Sequence, residues 1–251
     1  MATVVARPNI SPGPSTGLPG RRYDHFFFSG MALLILATVF AGFARTYFLA
    51  GVFRAPLPSL IIHLHGAAFT AWILLLVAQT SLVSAGRVDI HRRLGIAGFF
   101  WGCLMVILGV LAATDSLVRS GGPVGRDPQA FYIIPLTDMV FFATVLFFAF
   151  RNRRDSAAHK RFIYVATNAL LIAAIARIPL DFSYRKIFIA TLLSDIFLLA
   201  LVTYDLWSTH KIHRATLWAG GFLVFIQQVR LPVGKTATWH AFASWVQRLQ
   251  W

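Results

Sequence analysis

Glutamate is absent from this 251-residue chain, and its nine acidic groups are all aspartates. That removes the His-Glu-x-x-His zinc grip of metalloproteases. The aspartates are scattered singly, so no acid-rich magnesium site is present either. Cysteine is represented once, by Cys103 inside an apolar stretch, which excludes a disulfide framework and a cysteine-based metal centre. No Gly-x-Ser-x-Gly elbow occurs, so a membrane hydrolase is the weakest enzyme class for this chain. Charge as a whole is thin. Only 13% of residues are charged, about half of the ~25% usual in soluble domains.

What fills the chain instead is apolar. Hydrophobic residues make up 57%, in blocks of about 20, the length that crosses a bilayer core. The chain therefore reads as all-α, an integral membrane bundle of seven transmembrane helices. The spans fall near 26–50, 58–84, 94–117, 131–150, 162–180, 187–207 and 216–231. Residues 1–24 are polar and rich in Pro and Gly and read as a disordered cytoplasmic tail. Residues 25–231 form the transmembrane domain. Residues 232–251, with Trp239, Trp245 and Trp251, read as an interfacial amphipathic tail.

The net charge of +14 does not indicate nucleic acid. Most Lys and Arg sit in short turns between apolar blocks, where they encode topology. The N-terminus and the turns after spans two, four and six hold 13 of them, and the opposite side holds 7. That bias puts the N-terminus in the cytoplasm and the C-terminus outside. The partner this basic surface implies is an anionic lipid bilayer, with subunits of a membrane complex as further candidates.

Inside the apolar blocks a polar pattern occurs twice. Leu136-Thr-Asp138-Met-Val-Phe-Phe-Ala is echoed by Leu193-Ser-Asp195-Ile-Phe-Leu-Leu-Ala. The turn His159-Lys-Arg is echoed by His213-Arg, and Ala176-Arg177-Ile-Pro179 by Val229-Arg230-Leu-Pro232. Spans four and five thus form a partial internal repeat with spans six and seven. Ionisable groups inside apolar segments are expensive and face a bundle interior or a wet cavity. With Arg45 at the end of span one, the pattern places Arg45, Asp138, Arg177, Asp195 and Arg230 in an outer-leaflet layer. One reading is a cavity with arginine clamps for a small polar or anionic ligand. The other is that Asp138 and Asp195 pair with Arg177 and Arg230 and lock helices together.

Span two adds His63-Leu-His65-Gly, Trp72 and Gln79. His65, Trp72 and Gln79 are seven apart and share a helix face. His63 and His65 are about 200° apart around a helix and cannot grip one ligand together. Both remain candidate ligand-binding residues, with His65 favoured. A metal held by His65, Asp138 and Asp195 is a further candidate, with N/O donors suited to zinc or iron. At the inner face, His91, His159 and His213 are candidate cofactor ligands, for haem b or a metal ion. The same positions also suit histidines that simply meet lipid headgroups.

The run His63-x-His65, Trp72, Gln79, His91-Arg-x-Leu-Gly95, then His159-Lys-Arg and Asp195, resembles a family of multi-pass bacterial inner-membrane proteins. The family is defined by a domain of unknown function with an early-helix histidine and a His-Arg-x-x-Gly turn. The resemblance implies a helical bundle in a bacterial cytoplasmic membrane and no particular reaction. A looser similarity links the chain to cytochrome b561-type and haem A synthase-type bundles. The chain departs from those in lacking matched histidine pairs on facing helices at two depths. Two function classes follow: a ligand-binding transporter, receptor or accessory subunit, or a haem- or metal-binding redox protein or an assembly factor for one. Whether the chain is an enzyme is left open by the residues.

Overall fold

A computed structural model describes residues 23–56, 58–119, 127–179 and 186–249. The N-terminal tail expected over 1–24 lies almost wholly outside the described residues, as does Trp251. The described residues are helical throughout, in nine α-helices. These are α1 (Asp24–Phe43), α2 (Ala50–Phe53), α3 (Leu60–Ser84), α4 (Val88–Val118), α5 (Pro128–Arg151), α6 (Ser156–Ile175), α7 (Lys186–Thr209), α8 (Arg214–Gly234) and α9 (Ala237–Arg248). A π-helical turn, Ala44–Phe48, continues α1.

The helix starts carry their own stop signals. Ser59, Asp127, Asp155, His213 and Thr236 each accept a backbone N–H of the first turn that follows. Such caps satisfy donors that the helix itself cannot. Pro128 opens α5, where its missing N–H costs nothing. Every apolar block contains a helix, but two boundaries differ from expectation in ways that matter later. α6 stops at Ile175, leaving Arg177 in the turn beyond it. α8 instead runs through Pro232 to Gly234, which keeps Arg230 inside the helix.

Five helical segments are long and apolar enough to cross a membrane: Asp24–Phe48, Leu60–Ser84, Val88–Val118, Pro128–Arg151 and Ile187–Thr209. Their outward faces agree, since Phe26, Phe100 and Leu199 are each at least 60% exposed. Apolar exposure on this scale suits a lipid surface rather than water. The chain is thus a multi-helix membrane protein. α6 and α8 are not among the five. α6 carries His159, Lys160, Arg161 and Asn168, and α8 carries Gln227, Gln228 and Arg230. Burial explains how α6 tolerates them: Arg161, Thr167 and Asn168 are all enclosed.

The packing closes a ring. α1 lies on α3, α3 on α4, α4 on α5, α5 on α6, and α6 back on α1. Ile35, Trp72, Met105 and Phe142 belong to its core. The Trp72 indole donates to Thr167 Oγ1 at 3.2 Å, tying α3 to α6. α7 and α8 pack on α6 from its other side, and α8 also meets α5. Close approach needs glycine at Gly42, where a Cβ would stand 2.2 Å from the Ala174 carbonyl oxygen. Small residues at such crossings let membrane helices touch backbone to backbone.

The C-terminal segment does more than lie at an interface. α9 packs across α4 and α5. Gln129 Nε2 donates to Ser244 Oγ and Gln247 Oε1, Trp239 Nε1 to the Gln129 carbonyl, and Gln247 Nε2 to the Leu117 carbonyl. Ala243 and Val246 are buried against Leu117 and Tyr132.

Candidate functional site

The residues expected in the outer layer separate into two groups. The first gathers where α1 and α6 end and α3 begins. Beyond α6, the Arg177 guanidinium lies over the Phe43 ring at 4.7 Å and donates to the Ala173 carbonyl at 2.7 Å. Arg45, on the π-helical turn, lies over Phe53 at 5.3 Å. Both arginines are exposed. Neither has a carboxylate within ion-pair distance among the described residues. His65 is close enough to Arg177 to interact electrostatically. Its ring packs on Phe69, and its Nδ1 is buried with no hydrogen-bond partner. His63 is exposed and held by Tyr47, whose hydroxyl donates to the His63 carbonyl at 3.1 Å. The Tyr47 ring would stand 3.0 Å from a Cβ on Gly66, so Gly66 is what lets it pass beside α3. π-turns of this kind recur at functional sites because they re-aim side chains.

The second group sits between α5, α7 and α8. Arg230 Nη1 donates to Asp138 Oδ1 at 2.6 Å, and both side chains are buried. Gln227 Nε2 donates to Asp195 Oδ1 at 3.1 Å. Of the two acids and two arginines in the sequence echo, Asp138 and Arg230 are joined as an ion pair, Asp195 takes an amide instead, and Arg177 has no described carboxylate partner. The two halves of the sequence echo end differently, and that is the cause. Arg177 lies past the end of α6 and turns towards α1, whereas Arg230 stays on the buried face of α8 and crosses to α5.

The histidines expected at the inner face also divide. His159 Nδ1 lies 2.9 Å from the Ala149 carbonyl, for which it is the donor. Gln79 reaches His91: with its amide turned so that both ends are satisfied, Nε2 lies 2.7 Å from His91 Nδ1 and Oε1 accepts from Gly95 N. The two imidazoles face each other at 6.4 Å between centroids, nearly perpendicular. His213 belongs elsewhere. It caps α8 through Nδ1, which accepts from Ala215 N at 3.1 Å. Burial first, and the Arg161 guanidinium second, hold its imidazole below the ordinary histidine range. That favours the neutral ring, the form able to cap.

Around His213 is a network that the sequence reading missed. Arg161 donates through Nε and Nη2 to Asp205 Oδ1. Asp205 Oδ2 accepts from Thr216 Oγ1 at 2.6 Å and from His213 N at 3.1 Å. Asp205 is fully enclosed and Arg161 is 3% exposed. A usable signal was present: Arg161, Tyr164 and Asn168 fall on one face of α6, a polar stripe that a membrane helix must hide.

His65, Trp72 and Gln79 share a face but serve different neighbours, with Trp72 on α6 and Gln79 on α4. Among the described residues no three His, Cys, Asp or Glu side chains are grouped as a metal ion would require. His65, Asp138 and Asp195 in particular are not brought together as a metal-holding set. Asp138 is engaged by Arg230 and Asp195 by Gln227, while His65 packs on Phe69 within reach of the Arg177 charge. Comparison with protein-family models, curated proteins and solved structures finds no match to this chain.

Proposed function

We propose that this protein is a transporter, receptor or accessory subunit that binds a small anion at the outer ends of α1, α3 and α6. One observation carries the reading: Arg45 on the π-turn and Arg177 are exposed with no described carboxylate in ion-pair distance, and His65, which feels the Arg177 charge, has an unpartnered Nδ1. Guanidinium groups not neutralised by the protein are suited to a carboxylate or phosphate, which they hold by charge-assisted hydrogen bonds. His65 supplies a further polar contact and Gly66 the clearance beside it. Asp138, Asp195 and Arg230 are then supports that hold α5, α7 and α8 in register. The positive-inside bias orients this site outward, and the family resemblance supports a bacterial inner membrane as its setting. The test is calorimetric titration of the purified protein with inorganic phosphate and with short-chain phosphatidylglycerol. Each hydrogen bond to a charged group is worth about 1.5–3 kcal/mol. Arg177→Ala is therefore expected to weaken phosphate binding at least tenfold. Undiminished binding by Arg45→Ala/Arg177→Ala would sink the reading, and binding of the lipid alone would reassign the site to headgroups.

A second reading rests on the inner imidazoles. Metal-ligating histidines characteristically have the other ring nitrogen held by a carbonyl or polar partner. His159 Nδ1 is held by Ala149, and His91 Nδ1 faces Gln79. The His159 Nε2 is thereby left free to ligate a metal ion or haem iron, whereas His91, accepting at Nδ1, holds its proton on Nε2 and would ligate only after Gln79 turns its oxygen to that ring. Under this reading, metal analysis and an absorption spectrum of protein extracted in mild detergent detect a bound metal or haem, and His159→Ala removes it. A folded wild type that is colourless and metal-free would eliminate it.

A further inference from the structure

The interior between α6, α7 and α8 contains unpaired polar groups that neither reading uses. Asn168, midway along α6, is 0% exposed, and both its Oδ1 and its Nδ2 lack a partner. Ser194 on α7 is also 0% exposed, with Oγ unpartnered. Gln227 on α8 is 5% exposed. Its Nε2 goes to Asp195, and its Oε1 is unpartnered.

Hydrogen bonds between the helices set these three within about one turn of the same depth. α7 and α8 are tied twice, Asp205 to Thr216 and Asp195 to Gln227. Moving ten residues along α7 thus corresponds to eleven along α8, a steady antiparallel register. Ser194 adjoins Asp195, so it is level with Gln227. α6 is tied to α7 by Arg161 to Asp205 and by Tyr164 Oη, which donates to the Phe197 carbonyl at 2.8 Å. One turn further along each helix brings Asn168 to the level of Ser194. Direction agrees with depth. Asn168 lies within about 40° of Tyr164 around α6 and within about 20° of Arg161, both of which reach α7. Ser194 lies about 20° from Asp205 around α7, and Gln227 about 20° from Thr216 around α8. All three side chains therefore point to the seam shared by α6, α7 and α8. By the same counting from Ala149 and His159, Asp138 with its Arg230 is at this depth too.

A buried amide or hydroxyl left without a partner costs about 1–3 kcal/mol. Several at one point are tolerated when something in the seam satisfies them. The ligand must accept from Asn168 Nδ2 and donate to Asn168 Oδ1, Ser194 Oγ or Gln227 Oε1. A bare cation cannot accept, and an anion without a proton, such as chloride or a carboxylate, cannot donate. Water does both, and buried waters typically make about three bonds to such groups. We infer that Asn168, Ser194 and Gln227 form a binding site for ordered water at the α6–α8 seam. The site continues a polar strip running from Arg161 and Asp205 at the inner end to Asp195 and the Asp138–Arg230 pair.

Asparagine is rare enough here to make the site visible. The chain has only Asn9, Asn152 and Asn168. With selective ¹⁵N-asparagine labelling of the full chain in lipid bilayers, water-edited solid-state NMR reads each side-chain amide, and Asn168→Leu assigns its signal. The expected result is rapid magnetisation transfer from water to the Asn168 amide, comparable to that at Asn152 in the α5–α6 turn. Ser194→Ala with Gln227→Leu should reduce that transfer severalfold while the Asn152 signal is unchanged. An Asn168 amide silent to water in the wild type, with Asn152 responding, would overturn the proposal. So would transfer that is indifferent to the Ser194 and Gln227 substitutions.

Discussion

Asp205→Ala is expected to destabilise the protein by about 3–5 kcal/mol, the cost of leaving one member of a buried ion pair alone. The geometry makes this carboxylate hard to replace. Its two oxygens take four hydrogen bonds, from Arg161 Nε and Nη2, Thr216 Oγ1 and His213 N. Removal strands a guanidinium that is 3% exposed, since the remaining arginine bond goes only to the Ala157 carbonyl. It also frees the start of α8, because His213 and Thr216 are the residues that anchor it. Asp205→Asn keeps a side-chain oxygen in place and should lose less. The measurement is detergent-titrated unfolding in mixed micelles, followed by the helix signal. A change below about 1 kcal/mol for Asp205→Ala is what an exposed pair would give, and it would refute the enclosed network.

Arg230→Ala should cost a similar ~3–5 kcal/mol by leaving Asp138 enclosed and unpaired. The informative variant is the double one. Replacing both partners with apolar residues of similar volume, Asp138→Leu with Arg230→Met, removes the need for a partner. Such exchanges are often neutral or stabilising. The double variant should therefore recover most of the loss in the same unfolding assay, and it should still bind phosphate. A double variant as unstable as Arg230→Ala would refute the pairing. One that is stable but has lost phosphate binding would move Asp138 and Arg230 into the ligand site.

Much of the helical layout was legible because its determinants are local. Apolar blocks of bilayer length mark the helices within a single stretch of chain. The partners of the polar groups were not legible in the same way. Two stretches as alike as Ala176-Arg177-Ile-Pro179 and Val229-Arg230-Leu-Pro232 ended in different places, because one helix stops before its arginine and the other continues past it. Arg161 was hidden differently. It follows Lys160 in a basic turn and was counted as a topology signal, yet its helix begins five residues earlier, at Ser156, and takes it inside. The docking of α9 also escaped notice. Gln129 and Gln247 are unremarkable until α4, α5 and α9 meet.

The enclosure of α6 has a consequence for how the chain is made. Synthesis delivers α6 before α7 and α8, yet Asp205, which neutralises Arg161, arrives on α7, and Thr216 and His213 follow with α8. On emerging, α6 carries a cation and an amide whose shelter has not yet been translated. A segment in that position gains little by entering lipid alone. Its insertion is thus coupled to that of its successors, and the last quarter of the chain acts as an internal chaperone for the helix before it.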